Sequence, residues 1–520
     1  MSKVQHFNDG IIQHSVYRQR DQFVNQLRSR EKDILKLAST QCGKPSARFF
    51  QSAALGDYYA RGSYNVSFFI RFADGEKCVL RVPLRPCLAY CPRLKLHCEV
   101  TTMRYATITP LSMSPYLLIR IRHLSECTTI PVPKVLAYCA DSGADPLSTF
   151  MILEYIDGKL LSPTEFRRLA PDAKAELYKS LADVYIQLRR QEFPSIGRLR
   201  LGASGVRISE KTASLEMNMM QLEGLDPFGI QDVHHDESGF LTSANSYTKM
   251  LLSVGYNAFL KSRNSVAIDM GLECLYNHFL FCKHVQKWVD PGLDQGPFVL
   301  VHGDLHLSNL LVDHDVRIIG VLDWEWSRVV PVQYFAPPLW LSGRDAAQLA
   351  GPNSWQLFLE GPFAEFLAVV QRREAEMFGN NLLYDEWTRR TEYAEPLVAN
   401  ALENWTEVDW FVHRYLASKE ASAAHQEALS AFADEDPLRS LLADIKEQDH
   451  RRYRRELDLL SNSGNYGQGN ASDAAVPATV GRRAHVQYRI PTAASILGLT
   501  AAASVVMAAV WLRLRPSPTL

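Results

Sequence analysis

Three polar side chains that stand beside short apolar runs constrain this chain more than any other feature of its sequence. Asp304 follows the apolar run 298–301, Asn309 comes soon after it, and Asp323 closes the apolar run 318–322. Short runs of aliphatic and β-branched residues bounded by polar residues are typical of buried strands. We therefore expect a strand, a polar loop and a second pair of strands that bring two carboxylates and one amide together.

This set of side chains favours phosphoryl transfer from ATP. One carboxylate would orient the acceptor hydroxyl, while an amide and a second carboxylate would hold Mg²⁺ on the phosphates. The protein-kinase pattern H-R-D-x-x-x-x-N followed by D-F-G has the same interval and order of roles. We predict Asp304 as the catalytic base, and Asn309 and Asp323 as the Mg²⁺ ligands. The plain alternative, a β-hairpin with capped turns, has no need of two acids and an amide at these intervals.

The same motif resembles the signature of the aminoglycoside phosphotransferase-like kinases, which is H-G-D-x-x-x-x-N followed by an apolar strand that ends in I-D-W or L-D-W. Here H-G-D occupies residues 302–304, the amide is Asn309, and L-D-W occupies residues 322–324. The continuation 324–341 is similar to the large fungal branch, and the resemblance covers residues 45–415. It implies an α+β, two-lobed protein-kinase-like fold with a small N-lobe sheet and a helical C-lobe.

The resemblance also implies the parts of the N-lobe. Residues 64–72 and 77–82 predict a hairpin on their own pattern. By the family match, Gly62 belongs to the phosphate-covering turn, Arg81 stands where kinases carry the phosphate-pairing Lys, and Glu99 is its partner on the C-helix. The alternatives are an ordinary hairpin glycine, a surface arginine and a solvated helix glutamate.

The apolar run 150–158 resembles the family's hinge. The resemblance implies that Leu153 is the gatekeeper, that the carbonyl of Glu154 accepts a hydrogen bond from the adenine amino group, and that the N–H of Ile156 donates one to the ring. The alternative is a core strand that ends in a β-turn.

The bulk composition limits the partners. The formal net charge of −1 argues against a general nucleic-acid binder, and the resemblance implies a small-molecule acceptor with a hydroxyl group. Nine cysteines, an odd number, favour reduced thiols in the cytosol over a disulfide framework. A zinc site is disfavoured because no C-x2-C pair occurs in the local cysteine-rich segment. Its candidate ligands are Cys78, Cys87, Cys91, His97 and Cys98.

The chain divides by composition and resemblance into five segments. We predict an N-terminal helical extension (1–45), a kinase-like N-lobe (46–153), a helical C-lobe (154–445), a disordered basic linker (446–489) and a candidate transmembrane helix (490–512). In addition, residues 106–122 carry two prolines in an apolar stretch and are interpreted as an insertion after the C-helix, either an inserted loop or a translated intron.

The C-terminal tail predicts membrane attachment. Residues 490–512 carry no charge, and as a helix they would measure roughly 35 Å, which is enough to cross the hydrocarbon core. Residues 451–520 carry +6, which leaves −7 for residues 1–450 and suits a tail near an anionic membrane. We expect a cytoplasmic kinase domain anchored to an intracellular membrane. The alternative is a disordered or loosely helical tail.

Two functions remain open at this point. The first is an ATP- and Mg²⁺-dependent small-molecule kinase. The second is a catalytically weak, kinase-like module that binds a nucleotide or a partner. Arg81, the single glycine of the turn and the insertion favour the second, whereas Asp304, Asn309 and Asp323 together favour the first.

Overall fold

Two separate hydrophobic cores organise the described part of the chain, one in a small sheet lobe and one in a larger helical lobe. The computed structural model describes residues 8–52, 56–107, 128–141, 143–202, 205–235, 239–351, 353–391, 394–417 and 422–462. Helices and strands both occur in it, so the predicted α+β class is confirmed.

An antiparallel sheet forms the smaller lobe. Its strand order is β1-β3-β4-β6-β5, and β2 pairs with β3. Phe68 lies opposite Leu80 in the β3–β4 register, and both side chains are buried, as period-two alternation requires. The predicted hairpin is thereby confirmed. The strands are β1 Arg48–Phe49, β2 Tyr59–Arg61, β3 Asn65–Arg71, β4 Lys77–Pro83, β5 Val135–Ala140 and β6 Thr149–Glu154.

Three helices accompany this sheet. Helix α1 (Gly10–Arg28) begins at Asp9, whose side chain accepts hydrogen bonds from two backbone N–H groups of the first turn, and α2 (Glu31–Cys42) follows after a break. Both helices bury apolar side chains in the sheet-lobe core. Helix α3 (Pro92–Thr107) contacts β5 and β6 and carries the predicted partner of Arg81.

The larger lobe is mainly helical. Its core is built from aromatic and aliphatic side chains that repeat at helical spacing, such as Leu177, Leu181, Tyr185 and Leu188. The helices are α4 Pro163–Arg167, α5 Pro171–Arg189, α6 Leu215–Leu222, α7 Pro227–His234, α8 Ala244–Lys261, α9 Gly271–Trp288, α10 Ala346–Leu349, α11 Ser354–Phe358, α12 Ala364–Phe378, α13 Leu382–Thr391, α14 Glu395–Glu403, α15 Val408–Phe411, α16 Ser422–Glu435 and α17 Pro437–Asn462.

Short strands of the helical lobe carry the polar motif. β11 leads into the loop, and β12 pairs antiparallel with β13, with Leu310 opposite Val321. β12 also pairs with β7, which comes directly after the segment predicted as the hinge. The strands are β7 Lys159–Leu160, β8 Glu192–Phe193, β9 Arg198–Gly202, β10 Gly205–Glu210, β11 Phe298–Val301, β12 Leu310–Val312, β13 Ile318–Val321 and β14 Arg328–Pro331.

Helix α17 corrects one sequence prediction. The disordered linker expected over 446–489 is wrong for residues 446–462, which are helical. The buried Lys446 ammonium donates to the carbonyl of Leu260 over 2.8 Å, and the Tyr453 hydroxyl accepts from the N–H of Gly10 over 3.0 Å. These contacts fix the helix against both lobes, although its sequence is rich in charge.

The other predictions for the tail and the insertion cannot be compared with the structure. Residues 490–512, and residues 108–122 of the predicted insertion, lie outside the described residues. Within the described part of the chain, no helix has the length and apolar character that a membrane crossing requires.

Candidate active site

The loop between β11 and β12 has a backbone shape that only glycine suits at one position. Gly303 has a φ of +85°, and a Cβ there would stand 2.2 Å from the carbonyl oxygen of Trp326 and 2.9 Å from Nη1 of Arg328. An alanine would therefore be strained by both its φ and its surroundings. The glycine of H-G-D thus lets the loop lie directly on the turn that follows Asp323.

Asp304 and Asn309 are joined inside this loop. Nδ2 of Asn309 donates to the backbone carbonyl of Asp304 over 2.7 Å and to its carboxylate over 3.1 Å. The amide nitrogen is therefore engaged, and the amide oxygen is the atom left for another partner. Asn309 is buried, so this orientation is fixed by its surroundings.

The β12–β13 pairing brings Asp323 to the same place. Because Leu310 lies opposite Val321, the residues just outside that pair are also neighbours, and the N–H of Leu322 donates to the carbonyl of Asn309 over 2.8 Å. Asp323 follows with a φ of +60°, the left-handed conformation, and begins the short turn Trp324–Trp326. The two predicted metal ligands are therefore set side by side by strand register.

His302 is a neutral structural brace. Its Nε2 faces the carbonyl of Leu322 at 2.8 Å and therefore donates, while its Nδ1 accepts from the N–H of Asp304 over 3.3 Å. Burial lowers the pKa of His302 to about 4. Its ring lies 4.7 Å from that of Trp324, which is itself fully buried. Both ring nitrogens are occupied, so His302 holds the loop and transfers no proton.

The predicted pair of Arg81 and Glu99 forms. Nη1 of Arg81 lies 3.1 Å from Glu99, and Nη2 lies 2.6 Å from Asp323. The guanidinium thus bridges helix α3 and the metal-ligand candidate with its two arms, which is a use of the planar fork that a lysine cannot reproduce. Burial raises the pKa of Glu99, although the charges of Arg81 and Lys95 oppose that shift.

Three further residues complete this charge cluster, and sequence reasoning did not find them. Lys95, one helical turn before Glu99, forms an ion pair with Glu325, whose other neighbour is Asn65 at 2.6 Å. Burial alone would raise the pKa of Glu325, but the charges of Lys95 and Arg81 hold it below its usual value. The available signals were the helical spacing of Lys95 and Glu99 and the acid two residues after Asp323.

A cavity of about 570 Å³ lies between the two lobes, and we call it the interlobe cavity. Gly62 and Arg81 line it from the sheet, and Glu154 and Ile156 line it from the segment that joins the lobes. Its floor carries the three motif residues. They are Asp304, Asn309 and Asp323. Seven of the eight predicted site residues therefore share this cavity, and the eighth, Glu99, lies behind Arg81.

A second cavity, of about 710 Å³, opens on the other side of the same loop, and we call it the helical-lobe cavity. His302, Gly303 and His306 contribute to its wall, so the loop that carries Asp304 separates the two cavities. Most of the rest of the wall comes from helices α5, α6, α10, α14 and α15 and from the segment after β14. Its large aromatic side chains are Tyr185, Tyr334, Phe335, Trp340, Trp405 and Trp410.

In the structure, the side chains of the cysteine-rich segment are not grouped closely enough to share one ion. Cys78, Cys87 and Cys98 are buried and Cys91 is exposed. In the part of the chain that the structure describes, the only group of three or more His, Cys, Asp or Glu side chains close enough to share one ion is formed by residues 313–315 on an exposed turn.

The sheet lobe, the helical lobe and the polar loop between two cavities define the architecture of this chain. Residues 116–334 match the model of the phosphotransferase enzyme family. The family predicted from the H-G-D and L-D-W motifs is thereby confirmed, while the fungal branch stays a prediction.

Curated relatives match only in part. One is the probable acyl-CoA dehydrogenase IBR3 of Arabidopsis thaliana, 22% identical over 40% of this chain and 20% of that protein. Another is the clavilactone A biosynthesis cluster protein Y of Ampulloclitocybe clavipes, 32% identical over 24% of this chain and 28% of that protein. The chain spans between a fifth and three tenths of the length of these two relatives.

Solved structures of aminoglycoside phosphotransferases are also similar. The GDP complex of wild-type aminoglycoside 2'-phosphotransferase-IIIa is 12% identical and covers 81% of this chain and 99% of its own, with a TM-score of 0.38. The complex of a thermostable aminoglycoside phosphotransferase mutant with AMP-PNP and hygromycin B is 13% identical and covers 83% and 98%, with a TM-score of 0.33.

Proposed function

We propose that this chain is a kinase that transfers the γ-phosphate of ATP to a hydroxyl group of a small molecule. The observation that carries the proposal is the position of Asp304 on a loop shared by two cavities. A transferase of this kind needs a nucleotide on one side of its base and an acceptor on the other.

The interlobe cavity would hold the nucleotide. Its volume of about 570 Å³ suits a ligand of that size. The adenine would lie against the end of β6 and the segment that follows it, where Glu154 and Ile156 line the wall. The triphosphate would extend toward Arg81 and the turn at Gly62, where cationic and backbone donors meet it.

The motif residues fit a hard divalent cation. Asn309 and Asp323 line the same cavity and offer an amide oxygen and a carboxylate, which is the ligand chemistry of Mg²⁺. When bound, Mg²⁺ would neutralise charge on the phosphates. Asn309 and Asp323 would hold it, and Arg81 would exchange its contact with Asp323 for a contact with a phosphate.

The helical-lobe cavity would hold the acceptor, with its hydroxyl beside Asp304. The Asp304 carboxylate keeps one hydrogen bond from Asn309, which orients it, and would accept a second from the acceptor hydroxyl. Carboxylates outnumber guanidinium groups on the wall, so a neutral or cationic acceptor suits it better than an anion. The acids are Glu216, Glu223, Asp345, Glu403 and Glu407, and the arginines are Arg328, Arg344 and Arg414.

The second function, a binding module without turnover, has weaker support. Its strongest argument was Arg81 in place of lysine, yet Arg81 reaches both Glu99 and Asp323 in the structure. A module that only binds has no need of a carboxylate that Asn309 orients on a loop between two cavities.

The test is phosphoryl transfer from γ-labelled ATP into pools of hydroxylated metabolites, using the full-length chain with and without Mg²⁺. We expect a labelled product that requires Mg²⁺ and is absent with Asp304→Ala. Tight Mg²⁺-dependent ATP binding with no labelled product from any pool, and no ATP hydrolysis, would favour the binding module.

Membrane attachment through residues 490–512 is a separate proposal. Cell fractionation of the chain with and without residues 488–520 tests it. We expect the truncated chain to leave the membrane fraction, and an unchanged distribution would contradict the anchor.

A further inference from the structure

The charge cluster beside the interlobe cavity contains residues that have no role yet in the proposed phosphoryl transfer. Arg81 and Glu99 have the roles described above, but Lys95, Glu325 and Asn65 have none. Lys95 is 1% exposed and Glu325 is 4% exposed. Burying such charges is costly unless they are paired, so their arrangement is a built feature of the fold.

The pair joins three separate elements. Lys95 lies on helix α3, Glu325 lies in the turn that begins at Asp323, and Asn65 starts β3 at the end of the turn that contains Gly62. Nδ2 of Asn65 donates to Glu325 over 2.6 Å, and Lys95 also stands 3.9 Å from Glu99. The chain of contacts therefore runs from the phosphate-covering turn, through Glu325 and Lys95, to the partner of Arg81.

A second contact ties the same two turns together. The ring of Tyr64 meets that of Trp326 edge-on, with ring centroids 4.9 Å apart. Tyr64 and Asn65 are adjacent in the glycine turn, and Glu325 and Trp326 are adjacent in the turn after Asp323. Each turn thus has one polar and one aromatic contact with the other, so the two turns are packed together at two points.

We propose that Lys95 and Glu325 are positioning residues, whose buried ion pair fixes the phosphate-covering turn and the Asp323 turn to helix α3. The inference rests on the proposed nucleotide site and deepens it. Arg81 connects Glu99 of α3 to Asp323. The Lys95–Glu325 pair, through Asn65, connects α3 to the glycine turn as well. The positions of the cation, the phosphates and the turn above them are therefore fixed relative to one another.

The experiment compares ATP and adenosine as ligands of the full-length chain. Titration calorimetry with ATP plus MgCl₂, and with adenosine alone, is carried out on the wild type and on Glu325→Gln, Lys95→Met and Asn65→Ala. For Glu325→Gln and Lys95→Met we expect the Kd of Mg²⁺·ATP to rise about tenfold, as the loss of one charge-assisted contact commonly gives. The Kd of adenosine should change by less than about twofold, because the hinge is untouched and distant sites add independently.

Two further variants separate positioning from general stability. The double variant Lys95→Met with Glu325→Gln leaves no unpaired charge at the pair, and it should bind Mg²⁺·ATP no more weakly than either single variant, since the two residues act as a unit. The control is Arg189→Met, which breaks a buried ion pair with Glu386 in the helical lobe. It should lower the melting temperature and leave both dissociation constants unchanged.

The outcomes are distinguishable. Variants that bind ATP like the wild type, or that lose ATP and adenosine affinity in equal measure, would overturn the positioning role while the proposed function stands. A wild type that binds no Mg²⁺·ATP would overturn the proposed function, and the positioning role with it.

Discussion

The two cavities that flank Asp304 are built in different ways. The interlobe cavity is lined near the motif by residues tied to one another through strand register, backbone hydrogen bonds and buried ion pairs. The helical-lobe cavity is lined by residues from five helices (α5, α6, α10, α14 and α15) and from connecting segments as far apart in the sequence as Asn8 and Arg414. The difference suggests that the nucleotide chemistry is fixed by local sequence, whereas acceptor choice depends on how the helices pack.

The largest effect should come from Asp304, which lines the interlobe cavity from the loop that separates it from the helical-lobe cavity. Asp304→Asn keeps the size of the side chain and removes its charge. We expect kcat to fall about a thousandfold, within the range that general base catalysis contributes, with the Kd of Mg²⁺·ATP changed less than about threefold. Steady-state kinetics and calorimetry measure the two quantities. A large loss of ATP affinity would show that Asp304 belongs to the nucleotide side alone.

The second prediction concerns the wall between the cavities. Gly303→Ala should lower the free energy of unfolding by about 3 kcal/mol, because its Cβ would meet the Trp326 carbonyl at 2.2 Å in a left-handed backbone. The matched control is Gly379→Ala, where φ is also positive but no atom lies within 4 Å. It should cost only about 1 kcal/mol. If urea unfolding shows the same loss of unfolding free energy in both variants, the close approach of the Gly303 loop to Trp326 does not contribute to stability.

The third prediction uses the pH dependence of stability. The folded pKa of His302 is about 4, below its usual value of 6.5, so the unfolded chain binds the proton first as the pH falls. Its contribution is fully present above pH 6.5 and is lost progressively toward pH 4, by about 3 kcal/mol in all.

Urea unfolding at several pH values measures this contribution. His302→Gln should unfold with a shallower pH dependence between pH 6.5 and 4 than the wild type does. The exposed His314→Gln is the control and should keep the wild-type slope. Identical slopes for the wild type and His302→Gln would contradict the neutral brace.

The contrast between the two cavities also explains which parts of the site could be predicted from the sequence. Asp304, Asn309 and Asp323 were found because they lie beside strands that are consecutive in the chain, so spacing alone brings them together. Glu325 and Lys95 were missed because their meeting depends on a short helical turn after Asp323 packing against α3.

The remaining errors have the same origin. No local sequence pattern predicts the helical-lobe cavity, because its wall is assembled from helices that are distant in the sequence. Residues 446–462 of helix α17 were mistaken for linker because their many arginines suggest a solvated segment. Its buried positions, Leu442, Lys446 and Tyr453, are helically spaced, but the hydrogen-bond partners of Lys446 and Tyr453 are distant in the sequence, at Leu260 and Gly10.

The smallest effect should be confined to the acceptor side. Trp410 is 46% exposed at the wall of the helical-lobe cavity, and the guanidinium of Arg414 lies 4.4 Å from its ring centroid. Trp410→Ala should raise the KM of the acceptor about tenfold through lost contact area. The KM of ATP should not change. An increase in the KM of ATP with no effect on the acceptor would reverse the assignment of the two cavities.

The most direct test of the central claim is a Mg²⁺ titration of ATP binding by the wild type and Asp323→Asn. In the wild type, added Mg²⁺ should tighten ATP binding about tenfold or more, through shared coordination of the phosphates. In Asp323→Asn that response should disappear, while ATP binding without Mg²⁺ stays equal or becomes tighter, because Arg81 is released from its contact at 2.6 Å. An unchanged Mg²⁺ response in the variant would contradict a cation held by Asn309 and Asp323.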